Sequence, residues 1–324
     1  MTRRALICGI SGQDGTYLAG LLLDKGYHVT GTSRDAQVAS FGNLATLGIR
    51  DRIELESMVL TDFRSTLQTL KKAAPDEVYN LAGQSSVGLS FQQPVETMDS
   101  ISVGTLNLLE AIRFLGQPIR LYNASSSECF GDTGGQPANE DTPFHPRSPY
   151  AVAKAAAHWL VVNYREAYGM HACNGILFNH ESPLRPARFV TKKIVAGACA
   201  IARGEQQRLQ LGNLDISRDW GAAKEYVDAM WRLLQLERPD DLVIASGKTH
   251  SLAEFVAAAF EAVGLDWRQH VDVNDTLHRP SDIHYSAGDP AKAERLIGWK
   301  SKSGMHEMVK IMVQAEIASQ EERT

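Results

Sequence analysis

The chain has 324 residues, 44% of them hydrophobic, which is enough for one large core or two joined ones and excludes a fibrous or disordered protein. Its formal charge of −5 excludes a general nucleic-acid or acidic-membrane surface, because such partners demand a net basic face, so an anionic ligand has to be met by local arginines. The residues Cys8, Cys129, Cys173 and Cys199 are scattered without C-x-x-C spacing, which predicts reduced thiols and makes Cys129 a packing residue rather than a nucleophile.

The opening segment MTRRALICGI reaches strand-like residues at once, with no space for a secretion signal, and no apolar run approaches about 18 residues, so a cytoplasmic location away from membranes is expected. The run RALICG predicts a short buried strand. A loop with Gly9, Gly12 and Gly15 follows, then a helix over 14–25 with Tyr17, Leu18, Leu21 and Leu22 on one face. Between a strand and a helix, such glycines permit a tight turn, close approach of backbone to a pyrophosphate and close helix packing, with the phosphates near the helix N-terminus. After the next strand, YHVTGTS, Arg34 suits a ribose 2′-phosphate and Asp35 a free 2′-hydroxyl, so the two residues point to NADP and to NAD respectively.

Further along, the strand-like runs EVYNLAG, IRLYNASSS and HACNGILFN alternate with helical segments over 62–73, 94–115 and 149–168. This alternation predicts an α/β fold, a doubly wound parallel Rossmann-type sheet with helices on both faces. The pattern changes after about residue 180, with a basic segment over 185–193, the stretch LGNLDISRDW and a helical tail over 289–318. The expected division is a dinucleotide-binding domain over 1–180 and a smaller mixed α/β C-terminal substrate lobe over 181–324, the later chain being free to weave back into the sheet.

In RSPYAVAK, Tyr150 and Lys154 stand one helical turn apart and project from one face of a helix beginning near Ser148. Tyrosine is a poor base at neutral pH, and a nearby ammonium lowers its pKa. Upstream, LYNASSSECFG ends a strand at Ser126, where open α/β sheets form their ligand crevice, and a serine there can bond the hydroxyl that Tyr150 deprotonates. A carboxylate follows at Glu128. Turn chemistry is the alternative reading of the serines, and an exposed strand-end acid that of Glu128.

The order GxxGxxG, strand-end Ser, then Y-x-x-x-K resembles the extended short-chain dehydrogenase/reductases. The segments GISGQDG, EVYNLAGQSSV, SSSECFG, PRSPYAVAK, NYREAYG, GILFNHESPLR, RFVTKKI, LGN, RDWG and RPSD resemble the GDP-mannose 4,6-dehydratases through nearly the whole chain. The resemblance implies an NADP-dependent lyase that converts GDP-mannose to GDP-4-keto-6-deoxymannose with loss of water. It implies catalytic roles for Ser126, Glu128, Tyr150 and Lys154, the serine standing where the family has threonine. Cofactor contacts are implied for Gly9, Ile10, Ser11, Gly12, Gln13, Asp14 and Gly15, then for Leu81, Ala82, Gly83, Gln84 and Ser85. Arg34, Tyr150, Lys154, His180 and Arg185 complete that set. The GDP-sugar is implied to lie against Ser85, Ser126 and Glu128, against Asn179, Lys193, Leu211 and Asn213, and against Arg218, Arg279 and Asp282. Without the family, Arg188, Lys192 and Lys193 read equally as a solvated helix face, His180 as a structural histidine, and Asn179 and Asp282 as turn or cap residues.

The chain departs from the family where SRDAQVAS replaces a run of arginines and serines, where Met58 and Val59 replace a Gly-Asp pair, and where Glu96 and Ala222 replace aromatics. NAD therefore stays open beside NADP. The alternative activities are another nucleotide-sugar 4,6-dehydratase, a C4 epimerase or 4-ketoreductase, or a decarboxylase of the same superfamily, and outside enzymes a nucleotide sensor. The acid at Glu128 counts against the epimerase and the ketoreductase, and the Tyr and Lys count against the sensor. The apolar sides of 94–115 and 149–168 predict a homodimer or dimer of dimers. No metal site is expected.

Overall fold

Each apolar run singled out above forms a strand in a computed structural model of the chain, which describes residues 2–277 and 280–321. In chain order the strands are β1 (Arg4–Cys8), β2 (His28–Ser33), β3 (Glu54–Ser57), β4 (Glu77–Asn80), β5 (Arg120–Ser126), β6 (Ala172–Leu177) and β7 (Asn179–Glu181), then β8 (Leu209–Leu211), β9 (Ser217–Ala222), β10 (Leu242–Ile244), β11 (Thr249–Ser251), β12 (Val271–Val273) and β13 (Tyr285–Ser286). The helices are α1 (Gln13–Asp24), α2 (Gly42–Thr46), α3 (Phe63–Ala73), α4 (Val87–Ser90), α5 (Pro94–Met98), α6 (Gly104–Leu115) and α7 (Pro149–Tyr168), then α8 (Val190–Ala202), α9 (Ala223–Leu234), α10 (Leu252–Glu261), α11 (Ala291–Ile297) and α12 (Met305–Glu321).

Seven strands form one sheet in the order β10-β6-β5-β4-β1-β2-β3, with every neighbouring pair parallel. Because helices cover both faces, central strands such as β4 and β6 are buried at every position. Helices α1 and α9 close one face around Leu18, Leu22, Tyr226 and Met230, and α3, α6 and α7 close the other around Leu70, Leu108, Ile112 and Val161. Strand order reverses between β1 and β4, so the crevice for a ligand opens at their carboxyl ends. Ser148 caps α7 by accepting a bond from the Ala151 N–H at 3.1 Å, with Pro149 at the first helical position, so the helix bearing Tyr150 and Lys154 starts sharply.

After β6 the chain builds a second core from α8, α10, α12, β8 and β9, with β7 and β13 flanking β9 and β8 paired to β12. Strand β10 then returns to the edge of the main sheet beside β6, where the Glu140 carboxylate accepts from the Val243 N–H at 2.7 Å. Two elements differ from expectation. The helix over 94–115 contains a wide π turn at Asp99–Val103 between α5 and α6, where Ser102 turns to donate to the Ala153 carbonyl at 3.0 Å. The tail over 289–318 breaks into α11 and α12. Gly298, left-handed at φ 60°, ends α11, and the Glu225 carboxylate draws in the N–H groups of Lys302 and Ser303 at 2.8 and 3.0 Å before the chain turns helical again.

Three asparagines, Asn80, Asn123 and Asn174, stand in register on β4, β5 and β6. The Asn80 amide donates to Asn123 at 3.1 Å, Asn123 to Asn174 at 2.9 Å, and Asn174 to Asp241 at 3.1 Å. A one-residue slip of β5 would bury these amides unpaired, so the ladder fixes the register of the strand that carries Ser126. Asn123→Leu, similar in size, leaves the Asn174 oxygen without its donor and is expected to cost about 2 kcal/mol, seen as a lower urea midpoint at unchanged slope.

Candidate active site

The loop after β1 is shaped to let a ligand approach its backbone. Gly9 has φ 81°, and a Cβ there would sit 2.9 Å from the Leu81 carbonyl oxygen. At Gly15 a Cβ would lie 2.5 Å from the Gly9 oxygen, so only glycine lets α1 pack this close to the turn. Gly12 is the N-cap of α1 and no side chain caps it, which leaves the first N–H groups of the helix to an anion. Ser11 is tethered through its carbonyl by the Asn43 amide at 3.0 Å, and Thr16 bonds the Ile10 carbonyl at 3.1 Å. Leu81 continues the strand pairing by donating to the Cys8 carbonyl at 3.1 Å, so the segment 81–85 lines the same crevice, and the Gln84 N–H donates to the Ser100 hydroxyl at 3.3 Å. One oxygen of Asp14, Oδ1, is buried without a hydrogen-bond partner. A crevice in which a Cβ would clash, with an uncapped helix N-terminus and an orphaned acceptor, fits a dinucleotide.

The side chains of Gln13 and Asp14 join this loop to β7. Gln13 donates to the His180 carbonyl at 2.9 Å and accepts from Ser182 at 2.7 Å. His180 Nδ1 bonds the Phe178 carbonyl at 2.7 Å, and Nε2 bonds Asp14 Oδ2 at 2.9 Å. Both partners are acceptors, an arrangement that favours the doubly protonated ring, which stacks on Tyr226 with centroids 4.6 Å apart. Burial pushes the His180 pKa down, and the charge and hydrogen bond of Asp14 outweigh it to give a net rise. For Asp14, burial pushes the carboxyl up, and the His180 charge and hydrogen bond with the Arg185 charge bring it below its ordinary value. Arg185 itself stacks its guanidinium 3.8 Å from the Phe189 ring centre and sits 3.0 Å from Glu181, which also accepts from Thr191.

The sign of the linkage follows from these directions. A raised His180 contributes stability in full below its ordinary 6.5, lost as pH rises through the higher folded value. A lowered Asp14 contributes above its ordinary 3.8, lost as pH falls through the lower folded value. His180→Asn is therefore expected to cost about 3 kcal/mol near pH 6 and less near pH 9, as read from denaturation curves at the two pH values.

At the end of β5 the backbone tightens into a single turn over Ser127–Phe130, capped by Ser126, whose hydroxyl accepts from the Glu128 N–H at 3.3 Å. That turn swings Glu128 out of the strand line and leaves it half-buried, while Cys129 is fully buried with its thiol pushed up to about 12 by burial. Beside this turn, α7 presents Tyr150 and Lys154. Burial raises the Tyr150 pKa, a hydrogen bond with Ser126 opposes the rise, and the nearby Glu128 charge adds to it. Burial also lowers Lys154, to about 8, and its ammonium donates to the Ala124 carbonyl at 2.7 Å, 5.8 Å from the Tyr150 ring centre. Ser126, Glu128, Tyr150 and Lys154 thus share one side of the crevice. The Ala124 carbonyl that fixes Lys154 has no sequence signal, being main chain. One further turn of α7 brings His158 3.2 Å from the Ser125 hydroxyl, and its spacing of four from Lys154 is the clue the sequence holds to it.

The residues expected around the nucleotide sugar lie on α8, β8, β9, β7 and the loops beside them. Lys193 on α8 donates to the Gln210 carbonyl at 2.6 Å, beside Leu211, whose side chain lies in the second core and whose carbonyl accepts from Asn274. Arg218 on β9 is buried, bonds the Ser217 carbonyl at 2.9 Å and approaches Asp282 at 3.6 Å. Asn179 begins β7 and Asn213 accepts from the Asp215 N–H at 2.9 Å, while Arg279 lies outside the described residues. Lys192 bonds Glu316 at 2.7 Å, so it is not part of a solvated face.

A family model described as GDP-mannose 4,6 dehydratase matches residues 6–312. The chain is 47% identical to the GDP-mannose 4,6 dehydratase 1 of Arabidopsis thaliana over 323 residues, which covers 97% of this chain and 89% of that one. Among solved structures, the UDP-glucose 4-epimerase of Thermus thermophilus in complex with NAD superposes with a TM-score of 0.86 at 25% identity, over 98% of this chain and 99% of that one. RMD from Pseudomonas aeruginosa complexed with NADPH gives a TM-score of 0.81 at 23% identity, over 98% and 99% of the two chains. A dinucleotide loop, a strand-end serine and acid, and a tyrosine–lysine helix in one crevice, matched from residue 6 to residue 312, place the chain in the GDP-mannose 4,6-dehydratase family.

Proposed function

We propose that the protein converts GDP-mannose to GDP-4-keto-6-deoxymannose and water. The observation that carries the reading is Glu128 beside Ser126, Tyr150 and Lys154, since oxidation at C4 alone requires no second acid. A bound nicotinamide dinucleotide would supply reversible hydride transfer, accepting a hydride from C4 and giving it back at C6, so that the C5–C6 alkene left by loss of water is reduced, a proton returns to C5 and no net oxidation occurs. The Lys154 ammonium, with a pKa of about 8, is charged at neutral pH and stabilises a Tyr150 phenolate, offsetting the burial that disfavours it. Tyr150 takes the proton of the C4 hydroxyl, and Ser126 holds O4. With a ketone at C4 the C5 proton is acidic, so Glu128 removes it and returns a proton to the C6 hydroxyl as that group leaves as water. The segments 1–180 and 181–324 serve in this reading as the dinucleotide and nucleotide-sugar parts, with Lys193, Asn213, Arg218 and Asp282 on the sugar side.

For the dinucleotide we infer NADP over NAD, though the two solved neighbours show that the fold holds either. In this chain Asp35 Oδ1 already accepts from the Gln37 N–H at 2.9 Å, and Arg34, the first residue after β2, stands where a Rossmann sheet brings the ribose 2′ position. The four free cysteines are buried, in keeping with a reducing cytoplasm, and among the described residues no helix is long and apolar enough to cross a membrane. Incubation with GDP-mannose and NADP is expected to yield a GDP-sugar lighter by one water. A product of unchanged mass would point to an epimerase.

The same reading makes the protein a homodimer or dimer of dimers. Phe114 of α6 and Trp159 of α7 are 72% and 59% exposed, and Val103 of the π turn and Val152 of α7 add to this apolar surface. Trp159→Glu is expected to weaken self-association at least about tenfold in sedimentation at micromolar concentration, where the unaltered protein sediments as a dimer or larger.

A further inference from the structure

Arg34 is the first residue after β2, at the carboxyl edge of the sheet, and its Nη1 lies 3.7 Å from Oε1 of Glu96. Glu96 sits on the short helix α5, which packs against α7 and the π turn. That helix is tied down: Gln84, in the loop after β4, donates to the Thr97 hydroxyl at 3.3 Å, and Thr97 in turn donates to the Gln93 carbonyl at 2.7 Å. The backbone that carries Glu96 is thus held, while both side chains are exposed, Arg34 at 85% and Glu96 at 53%, so the pair meets at the surface and the arginine can exchange its anion. A 2′-phosphate carries a charge of about −1.5 to −2 and is the stronger partner, yet it has to take the guanidinium from Glu96 and then lie beside that carboxylate. A free 2′-hydroxyl meets neither obstacle.

We propose that Glu96 is a specificity-determining residue that pairs with Arg34 until a 2′-phosphate displaces it, and so narrows the preference of this protein for NADP over NAD. The inference rests on the NADP reading above. An exposed pair is weak and salt-screened, so the narrowing is modest, about three- to tenfold in the ratio of dissociation constants.

Calorimetric titration of NADP and of NAD into the unaltered protein, Glu96→Gln, Arg34→Gln and the double variant tests it. Glu96→Gln is expected to tighten NADP about three- to tenfold and to leave NAD within about twofold, and the gain is expected to shrink below about twofold when Arg34 is already Gln. Equal tightening of both dinucleotides, no change in either, or a full gain persisting without Arg34 overturns the role of Glu96 while leaving the cofactor assignment standing. Binding of NAD with no binding of NADP, even in Glu96→Gln, overturns the assignment itself and this role with it.

Discussion

Glu128→Gln is expected to lower turnover of GDP-mannose by roughly 10² to 10⁴-fold, the usual worth of a positioned acid or base, while dissociation constants for GDP and the dinucleotide change little. Glutamine keeps the shape of the side chain and its place on the turn after β5, where the main-chain bond to Ser126 does not involve the carboxylate. What it loses is the capacity to take the C5 proton. The effect belongs in kcat rather than KM, because the proton moves only in the chemical step. Activity within a few-fold of the unaltered protein would remove Glu128 from the reaction and leave the strand-end acid as an ordinary turn residue.

Tyr150→Phe is expected to fall by a similar factor or more, since it removes the group placed to take the C4 hydroxyl proton and with it the first step. The ring stays packed in the crevice and Lys154 keeps its bond to the Ala124 carbonyl, so the fold is expected to be unchanged. Burial holds Tyr150 above its ordinary pKa. The phenol therefore works as a base only with the Lys154 ammonium nearby, and Lys154→Met is expected to shift the remaining activity to higher pH, where a phenol no longer assisted by a cation ionises. A Phe variant that still oxidised C4 at the ordinary rate would show that another base serves.

Much of this was legible in the chain because the signals are local. The glycine loop, the strand-end serines and the Tyr–Lys turn each lie within one stretch of sequence, and the physics of a tight turn or of a shared helix face acts across a few residues. Contacts made between distant segments were not legible. His180 and Asp14 are 166 positions apart, and only the fold that brings β7 beside the first turn of α1 makes them an ion pair. The edge strands β3 and β10 escaped notice for a different reason: β3 is polar and half-exposed and β10 is three residues long, too short for a pattern. The break between α11 and α12 depends on Glu225, which lies far back in the chain and collects the N–H groups of the connecting segment. The family resemblance supplied what spacing could not, the grouping of Lys193, Asn213, Arg218 and Asp282 as sugar-side residues.

The central claim is that this crevice removes a proton from C5 and eliminates water across C5 and C6, and product formed in D₂O tests it most directly. If Glu128 takes the C5 proton and the site later returns one from solvent-exchanged groups, the GDP-4-keto-6-deoxy product carries deuterium at C5, read by NMR or by mass. A product with protium at C5, or one that still bears its C6 hydroxyl, contradicts the account.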